Sequence, residues 1–478
     1  MEQTLALPRL TRSAAPRPGV GIVHLGLGAF FRAHGAIYIA EAMAASGGDW
    51  GVLGVSLVSP GQRDLLAPQG CAYTALELGP GGETPRVVEA VEGVLVARED
   101  PEAVLAAMAD PGVRIVSLTV TEKGYCHEPA TGRLNRSHPD ILADLEGGAP
   151  RSALGFLVRA LERRRAAGLR PFTVLTCDNL PENGRMVRGV TLELAGLIDP
   201  GLAAWIAAEG AFPCTMVDRI VPATKPEDVA RLARLTGRLD LSPVMHEPFR
   251  QWVVEDAFVD GVRPDLGAVG AQLVEDVAPF ELMKLRMLNG AHSSLAYLGY
   301  LAGHETIAET VADAPFAGLA RRLWREEILP TLTPPPGEDL DAYAQALLAR
   351  FENPAIRHRT WQIAMDGSQK LPQRLLGTVA DDLAAGRPVP GLALATAAWM
   401  TYVSGTGLDG RPIEVKDPLA ADLRARATSA DPVAALLDLR AVFPAALAAD
   451  DRFRGAVAAT HGALRARGAR ALVEEYAA

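Results

Sequence analysis

Apolar and polar positions follow two regimes along this chain, and the change falls near residue 275. Before it, short apolar runs bounded by Gly, Pro, Asn and Asp alternate with longer stretches of helical period. Short bounded runs rich in Val and Ile read as buried strands, and longer periodic runs as helices. On that basis VGIVHLGLG (20–28), Trp50–Val58, RIVSLTV (114–120) and Phe172–Thr176 are predicted strands. Helices are predicted at AFFRAHGAIYIAEAMAA, at Asp100–Met108 with Asp100 as cap, and at Ala153–Ala167. Strands near Tyr73–Leu78 and Arg86–Val96 form an insertion, FPCTMVDRIVPAT leads to Asp218, and EPFRQWVVED (247–256) completes the core. Strands and helices in alternation imply a parallel sheet. Past residue 275 amphipathic helices take over, at Pro315–Glu327, Leu340–Arg350, Ala355–Gly367, Pro418–Thr428 and Asp450–Arg467, with turns at 334–337 and 386–391. A chain of 478 residues exceeds one ordinary core. Two domains are expected, an α/β one over 1–275 and an all-α one over 276–478.

One stretch of the second regime departs from simple amphipathicity. ELMKLRMLNGAHSS (281–294) is apolar around nearly its whole circumference, which marks a buried helix. At about 100° per residue, Glu281, Lys284, Asn289 and His292 share an arc of roughly 140°. Arg286 is the one charge off that arc, and Gly290 lies nearly opposite it, where another element could pack closely. Buried polar side chains need partners or a chemical task. A core helix with satisfied polar groups is the plain alternative.

Composition narrows the field. The 49% hydrophobic content suits well-buried domains, and a net charge of −10 without a basic block argues against a nucleic-acid partner. Cys71, Cys126, Cys177 and Cys214 form no CxxC, and the nine histidines form no HExxH, so neither a disulfide framework nor a metal site is expected. MEQTLALPRL lacks the features of a signal peptide, and no stretch approaches the length of a membrane span. A cytoplasmic protein, monomeric or weakly homo-oligomeric, is expected.

Candidate chemistry gathers where predicted strands end. The first strand runs into Gly26 and Gly28 and then a helix, the opening of a dinucleotide-binding unit. Gly26 permits the turn, and Gly28 lets backbone approach a pyrophosphate. Phe31 stands where a third glycine is usual, Arg32 could add charge, and His34 has an equally plain reading as a packed side chain. No acid ends the second strand. Ser56, Ser59 and Arg63 are the polar candidates there, leaving NAD and NADP both open. Ligands of such sheets bind beyond the carboxyl ends of strands, which puts Thr121, Glu122 and Lys123 near the cofactor and Asp178 and Asn179 on the same rim. Asn183 is read as a helix cap and Asp218–Arg219 as a functional pair or a structural ion pair. IRHRTWQIAMDGSQKLPQR (356–374) carries Arg357, His358, Arg359, Lys370 and Arg374, which could be only a charged helix face.

Lys284, Asn289 and His292 spell K-x4-N-x2-H, which resembles the catalytic signature of the mannitol dehydrogenase and fructuronate reductase family. G-x-G-x-F-x-R-x-H (Gly26, Gly28, Phe30, Arg32, His34), C-D-N-x3-N-G, V-D-R-I-x-P and D-G-S-x-K extend the resemblance over nearly the whole chain. Members are long-chain polyol dehydrogenases that use a nicotinamide cofactor and no metal. The resemblance implies an α/β N-terminal Rossmann-like dinucleotide-binding domain, an all-α C-terminal domain, and an active site in the cleft between them. It implies Lys284 as general acid–base catalyst, Asn179 and Asn289 polarising the carbonyl, and His292 and Asp218 orienting substrate. Glu281 would pass the proton.

The resemblance also implies a sugar acid or polyol as substrate, and two branches compete. The mannitol branch more often has T-E-G-G-Y where this chain has Lys123, and an arginine where it has Gln362. These forms, with HRTW before and Lys370, Leu371 and Pro372 after, resemble the fructuronate reductase branch. Lys123, Arg359 and Lys370 would pair with a uronate's carboxylate. NAD is the expected cofactor, with NADP not excluded. A non-catalytic nucleotide-binding redox sensor is the rival of another class; a zinc alcohol dehydrogenase is opposed by the missing cysteine clusters.

Overall fold

The computed structural model describes residues 7–128 and 131–478. The expectation about a leader over residues 1–6 therefore lies outside the described residues. The chain divides into two compact units, the first ending at Ala278 and the second starting at Pro279.

Among the described residues the first unit contains eleven strands: β1 (Val20–Leu25), β2 (Gly51–Ser56), β3 (Tyr73–Gly79), β4 (Gly82–Val88), β5 (Val91–Val96), β6 (Ile115–Leu118), β7 (Thr173–Thr176), β8 (Thr215–Asp218), β9 (Val244–His246), β10 (Gln251–Glu255) and β11 (Gln272–Val274). Five of them form a wholly parallel sheet in the order β5-β2-β1-β6-β7. Both faces are covered, as an all-parallel sheet requires. Val23, Leu25, Val116 and Val174 pack with Leu105, Leu157 and Val190 of the helices on one side. Ile22, Ile115 and Leu175 pack with Ile37, Tyr38 and Trp252 on the other.

Two sequence expectations need correction. Arg86–Val96 is not one strand. Its first part, β4, is an exposed hairpin arm paired antiparallel with β3, whereas β5 joins the main sheet beside β2. The buried β-branched residues of Val91–Val96 belong to the core and the polar residues before them to the surface. The helix expected from Ala29 also breaks, at His34 (φ −129°, ψ −85°), into Ala29–Ala33 and Gly35–Ser46. His34 is buried, and its Nε2 bonds the carbonyl of Gln251 at 2.9 Å.

The second unit is built of helices. The helix Pro390–Tyr402 is buried on all sides from Gly391 onward, and its Gly391 and Leu392 amides donate to the Glu327 carboxylate, which also accepts from the Tyr476 hydroxyl. Ala355–Gly367, expected as one helix, is instead the short Thr360–Ile363 and then Gly367–Leu371 after a break at Asp366 (φ 55°). Asp417 binds both the amide and the hydroxyl of Ser368 at that break. Gly367 is needed there, since a Cβ would lie 2.4 Å from the Trp399 indole nitrogen. Among the described residues, no helix is long and apolar enough to cross a membrane.

His24 and His34 are buried in the first unit, and burial lowers each imidazole to about 3, against weaker opposing backbone hydrogen bonds at Gly26 and Gln251. Unfolded histidine titrates near 6.5, so the unfolded chain takes up protons first as pH falls. Stability should therefore decline from about pH 6.5 towards pH 3. His24→Gln should flatten that decline by up to ~1.4 kcal/mol per pH unit. Urea midpoints from pH 7 to pH 4 check this; parallel slopes for variant and wild type would contradict it.

Candidate functional site

In the parallel sheet the chain turns one way to β2 and β5 and the other way to β6 and β7. The switch point therefore lies between β1 and β6, where open α/β sheets bind ligands. The turn after β1 is compact because Gly26 adopts φ 92°, and a Cβ there would lie 2.2 Å from Thr119 O. Gly28 is exposed, and a Cβ on it would meet only Gly26 O, at 3.7 Å. No side chain caps the helix that starts at Ala29. An open glycine backbone before uncapped amides fits a dinucleotide's pyrophosphate.

A buried polar chain holds this turn, and sequence reasoning missed it. Thr119 Oγ1 donates to Gly26 O at 2.8 Å and contacts His24 Nε2 at 2.9 Å; His24 Nδ1 contacts Ser117 Oγ at 2.8 Å. The threonine's one proton goes to the carbonyl, so His24 carries its proton on Nε2 and accepts from Ser117. The His24 ring stacks on Phe31 at 3.4 Å, which explains an aromatic where a glycine is usual. Phe30 is half-buried and stacks on His34. Arg32 departs from its expected role. It is buried, and its guanidinium donates to Ser242 O at 2.5 Å, to Gln62 Oε1 and to Gly28 O, bracing the turn from inside instead of being presented to a phosphate.

Beyond β6, Thr121 (φ 64°), Glu122 and Lys123 are exposed on a single helical turn. Asp178 clasps that turn, accepting from the Val120 and Thr121 amides and from the Tyr125 hydroxyl. Asn179 follows it, exposed. Asn183 is no cap; its amide binds Asp178 O and Thr215, tying the end of β7 to β8. Asp218 ends β8, buried opposite Gln251, while Arg219 donates to the carbonyls of Ala33 and Glu247. Arg63 is paired with Asp64 and Glu99.

In the second unit the lysine stretch is helical throughout, but not one α-helix. Ala278–Met283 is α, Lys284–Gly290 is a π-helical turn, and Ala291–Ala302 is α again. The equal 100° steps assumed from sequence therefore fail between Lys284 and Gly290. In π geometry residues five apart take the place of residues four apart, which draws Lys284 and Asn289 towards one face. Arg286, off the arc, pairs with Asp381 at 2.6 Å. Lys284 and His292 are buried and Asn289 half-buried. Two further π turns meet this one. Trp324, opening Trp324–Ile328, donates its indole N–H to Met287 O at 2.8 Å, and Arg374 O of Pro372–Leu376 lies against Gly290.

Around His292 the structure gathers residues that the sequence had only grouped in a run. Its ring stacks on Phe351 at 5.2 Å and meets His358 edge-on at 4.7 Å. Burial holds His292 well below the usual imidazole range, helped by His358, Arg374, Arg350 and Lys370. Lys370 is lowered to about 8 by burial and then by Arg374, and its ammonium donates to Ile363 O and Met365 O. Arg359 does not join the group. It lines a cavity of about 790 Å³ with Tyr300, His304, Trp361 and Arg411, and none of His292, His358, Lys370 or Arg374 lines it. Among the described residues, no group of three or more His, Cys, Asp or Glu could hold a metal ion.

Comparison with known proteins identifies the family. The mannitol dehydrogenase Rossmann domain matches residues 20–267, and the mannitol dehydrogenase C-terminal domain matches 276–465. The chain belongs to the mannitol dehydrogenase family. It is thereby an NAD-dependent oxidoreductase acting on CH–OH groups. D-mannonate oxidoreductase of Escherichia coli K12 is 49% identical over 95% of this chain and 94% of its own. Mannitol 2-dehydrogenase of Phaeosphaeria nodorum is 41% identical over 98% and 84%. The structure of Pseudomonas fluorescens mannitol 2-dehydrogenase, a ternary complex with NAD and D-mannitol, is 37% identical with a TM-score of 0.86, covering 98% of this chain and 96% of that one.

The contact between π turns gives this dehydrogenase a sharp steric requirement. A Cβ at Gly290 would lie 2.8 Å from the backbone oxygen of Arg374, whereas one at Gly377 would meet nothing closer than 3.8 Å. Gly290→Ala should cost ~1–3 kcal/mol of stability. Gly377→Ala, also helical, should be neutral or stabilising by up to ~1 kcal/mol. Denaturant midpoints of the two variants decide this, and equal midpoints would refute the contact's importance.

Proposed function

We propose that this enzyme interconverts D-fructuronate and D-mannonate with NAD. The observation that carries this is the 49% identity to a D-mannonate oxidoreductase across nearly the whole of both chains, against 41% to a mannitol 2-dehydrogenase. A second reading, D-fructose and D-mannitol, is favoured by the likeness to the mannitol-bound enzyme. Four free cysteines suit a reducing cytoplasm, and the reading takes the chain as a monomer or weak homo-oligomer there.

NAD, when bound, supplies the hydride acceptor at the nicotinamide ring. The first unit contributes the glycine turn for the pyrophosphate, braced by Arg32 behind it, with Phe30, Thr121 and Glu122 beside the cofactor. The pairing of Arg63 with two carboxylates supports NAD over NADP, since that arginine is already neutralised. In this reading Lys284 removes the proton from the reacting hydroxyl, or returns it in reduction. Asn289 and Asn179 donate to the oxygen as it becomes an alkoxide. Glu281, one turn before Lys284, passes the proton onward. His292, neutral at working pH, orients a neighbouring hydroxyl, Asp218 accepts from another, and Lys123 and Lys370 favour an acidic substrate.

The decisive assay follows NAD(H) with both substrate pairs at one pH, with a strong chelator present. We expect kcat/KM to favour the acid pair by roughly tenfold to a hundredfold, the worth of one charge-assisted hydrogen bond, and the chelator to have no effect. A preference for mannitol over mannonate overturns the substrate while leaving a dehydrogenase; turnover lost to the chelator overturns metal independence.

Lys284→Ala should lower kcat by ~10²–10⁴-fold and leave NAD affinity near wild type. A much smaller loss at every pH tested would remove Lys284 from the mechanism.

A further inference from the structure

Arg374 sits on the π turn that packs behind the lysine helix, and the described residues leave its charge unanswered. Among the described residues its one side-chain hydrogen bond runs from Nη1 to Ser293 Oγ, at 3.1 Å. Among the described residues it has no ion pair, and four more N–H donors remain on the guanidinium. Its neighbours are of the same sign or protonatable. Lys370 has spent two of its donors on carbonyls. His292 Nε2 and His358 Nδ1 are buried and have no partner among the described residues.

We infer that Arg374, together with His358, whose ring meets His292 edge-on, is the seat for the substrate's carboxylate and the main determinant of preference for a sugar acid over a polyol. This rests on the reaction proposed above. Cationic groups gathered out of water without an anion are costly, and an anion delivered with the substrate removes that cost. Burial is the largest influence on His292, His358 and Lys370, and Arg374 is among the charges that lower each further. Asp366 and Asp417 oppose this at Lys370, whereas the influences at His358 and Arg374 include no carboxylate. Asp417 is itself engaged by Ser368.

The chemistry fits a carboxylate in particular. A guanidinium presents a planar fork that matches two carboxylate oxygens, where an ammonium is a point charge. Ser293 holds that fork, and it adjoins His292 on the helix that follows the Lys284 turn. Groups that handle the reacting carbon therefore lead, through His292, to groups that can hold the acid at the far end of the sugar. Arg359, in its separate cavity, has no part in this seat.

The test measures dissociation constants of D-mannonate and D-mannitol on the NADH-saturated full chain, where neither alcohol turns over. Arg374→Gln should reduce the selectivity for mannonate over mannitol by about tenfold to a hundredfold, with the thermal unfolding midpoint recorded alongside. If that variant does not fold, Ser293→Ala keeps the charge, loosens the fork, and should reduce the selectivity severalfold. Selectivity unchanged in the folded variant, or both ligands weakened equally, overturns the seat. D-mannitol 1-phosphate is the third ligand, and its binding more tightly than mannonate through Arg374 overturns the assignment to a carboxylate. Wild-type turnover separates this from the reaction itself. Mannonate bound through Arg374 but not oxidised sinks the reaction and spares the seat; mannonate oxidised with selectivity indifferent to Arg374 does the reverse.

Discussion

Hydrogen bonding over five residues instead of four, between Lys284 and Gly290, is the constraint on which the second unit depends. In an α-helix residues five apart point roughly 140° away from each other, too far for the shared role proposed for Lys284 and Asn289. The π turn reduces that separation. Such turns strain the backbone ladder and survive only where surroundings compensate. Here the compensation is visible: the Trp324 indole satisfies Met287 O, and the missing side chain of Gly290 admits the backbone of the Pro372–Leu376 turn. Both supporting elements are π turns themselves, so three irregular segments lock together around the proposed catalytic lysine.

The first unit solves a comparable problem with buried side chains. Its glycine turn has to stay tight and bare, so its fixings come from below: His24 through Thr119 to Gly26 O, and Arg32 to Gly28 O. A histidine held neutral by burial is well suited to this, because it donates and accepts at once without bringing a charge under the nucleotide. Asp178 does the same for the turn after β6, spending its carboxylate on two amides and a phenol. Several residues that motif reading would assign to ligand thus hold backbone in place for the few that face it.

Charge is distributed to match. The protein is acidic overall, at −10, yet Lys370, Arg374 and two neutral histidines share one partly buried neighbourhood. Neutral imidazoles can accept from or donate to sugar hydroxyls, while Arg374 has no ion pair among the described residues and, in the proposed reading, takes the acid. A polyol would satisfy the first group only.

Much of this was legible in the sequence, for reasons that are local. Alternating short apolar runs and helical stretches dictate a parallel sheet because burial on both faces leaves no other pattern. Gly26 and Gly28 mark the turn because only glycine permits its φ and its bareness. K-x4-N-x2-H named the lysine helix. What periodicity could not register is any change in the helix's own period, so the π turn was invisible and the arc drawn from 100° steps was wrong within it. Nor could sequence neighbours show where long side chains go. Arg32 turns inward to Ser242, 210 residues away, and Arg359 parts from His358 into its own cavity. Arg374 comes up against Ser293 only because two distant π turns pack back to back. Local hydrogen bonding and side-chain size are written residue by residue, whereas the partner of a buried charge is chosen by whichever distant segment the core brings alongside it.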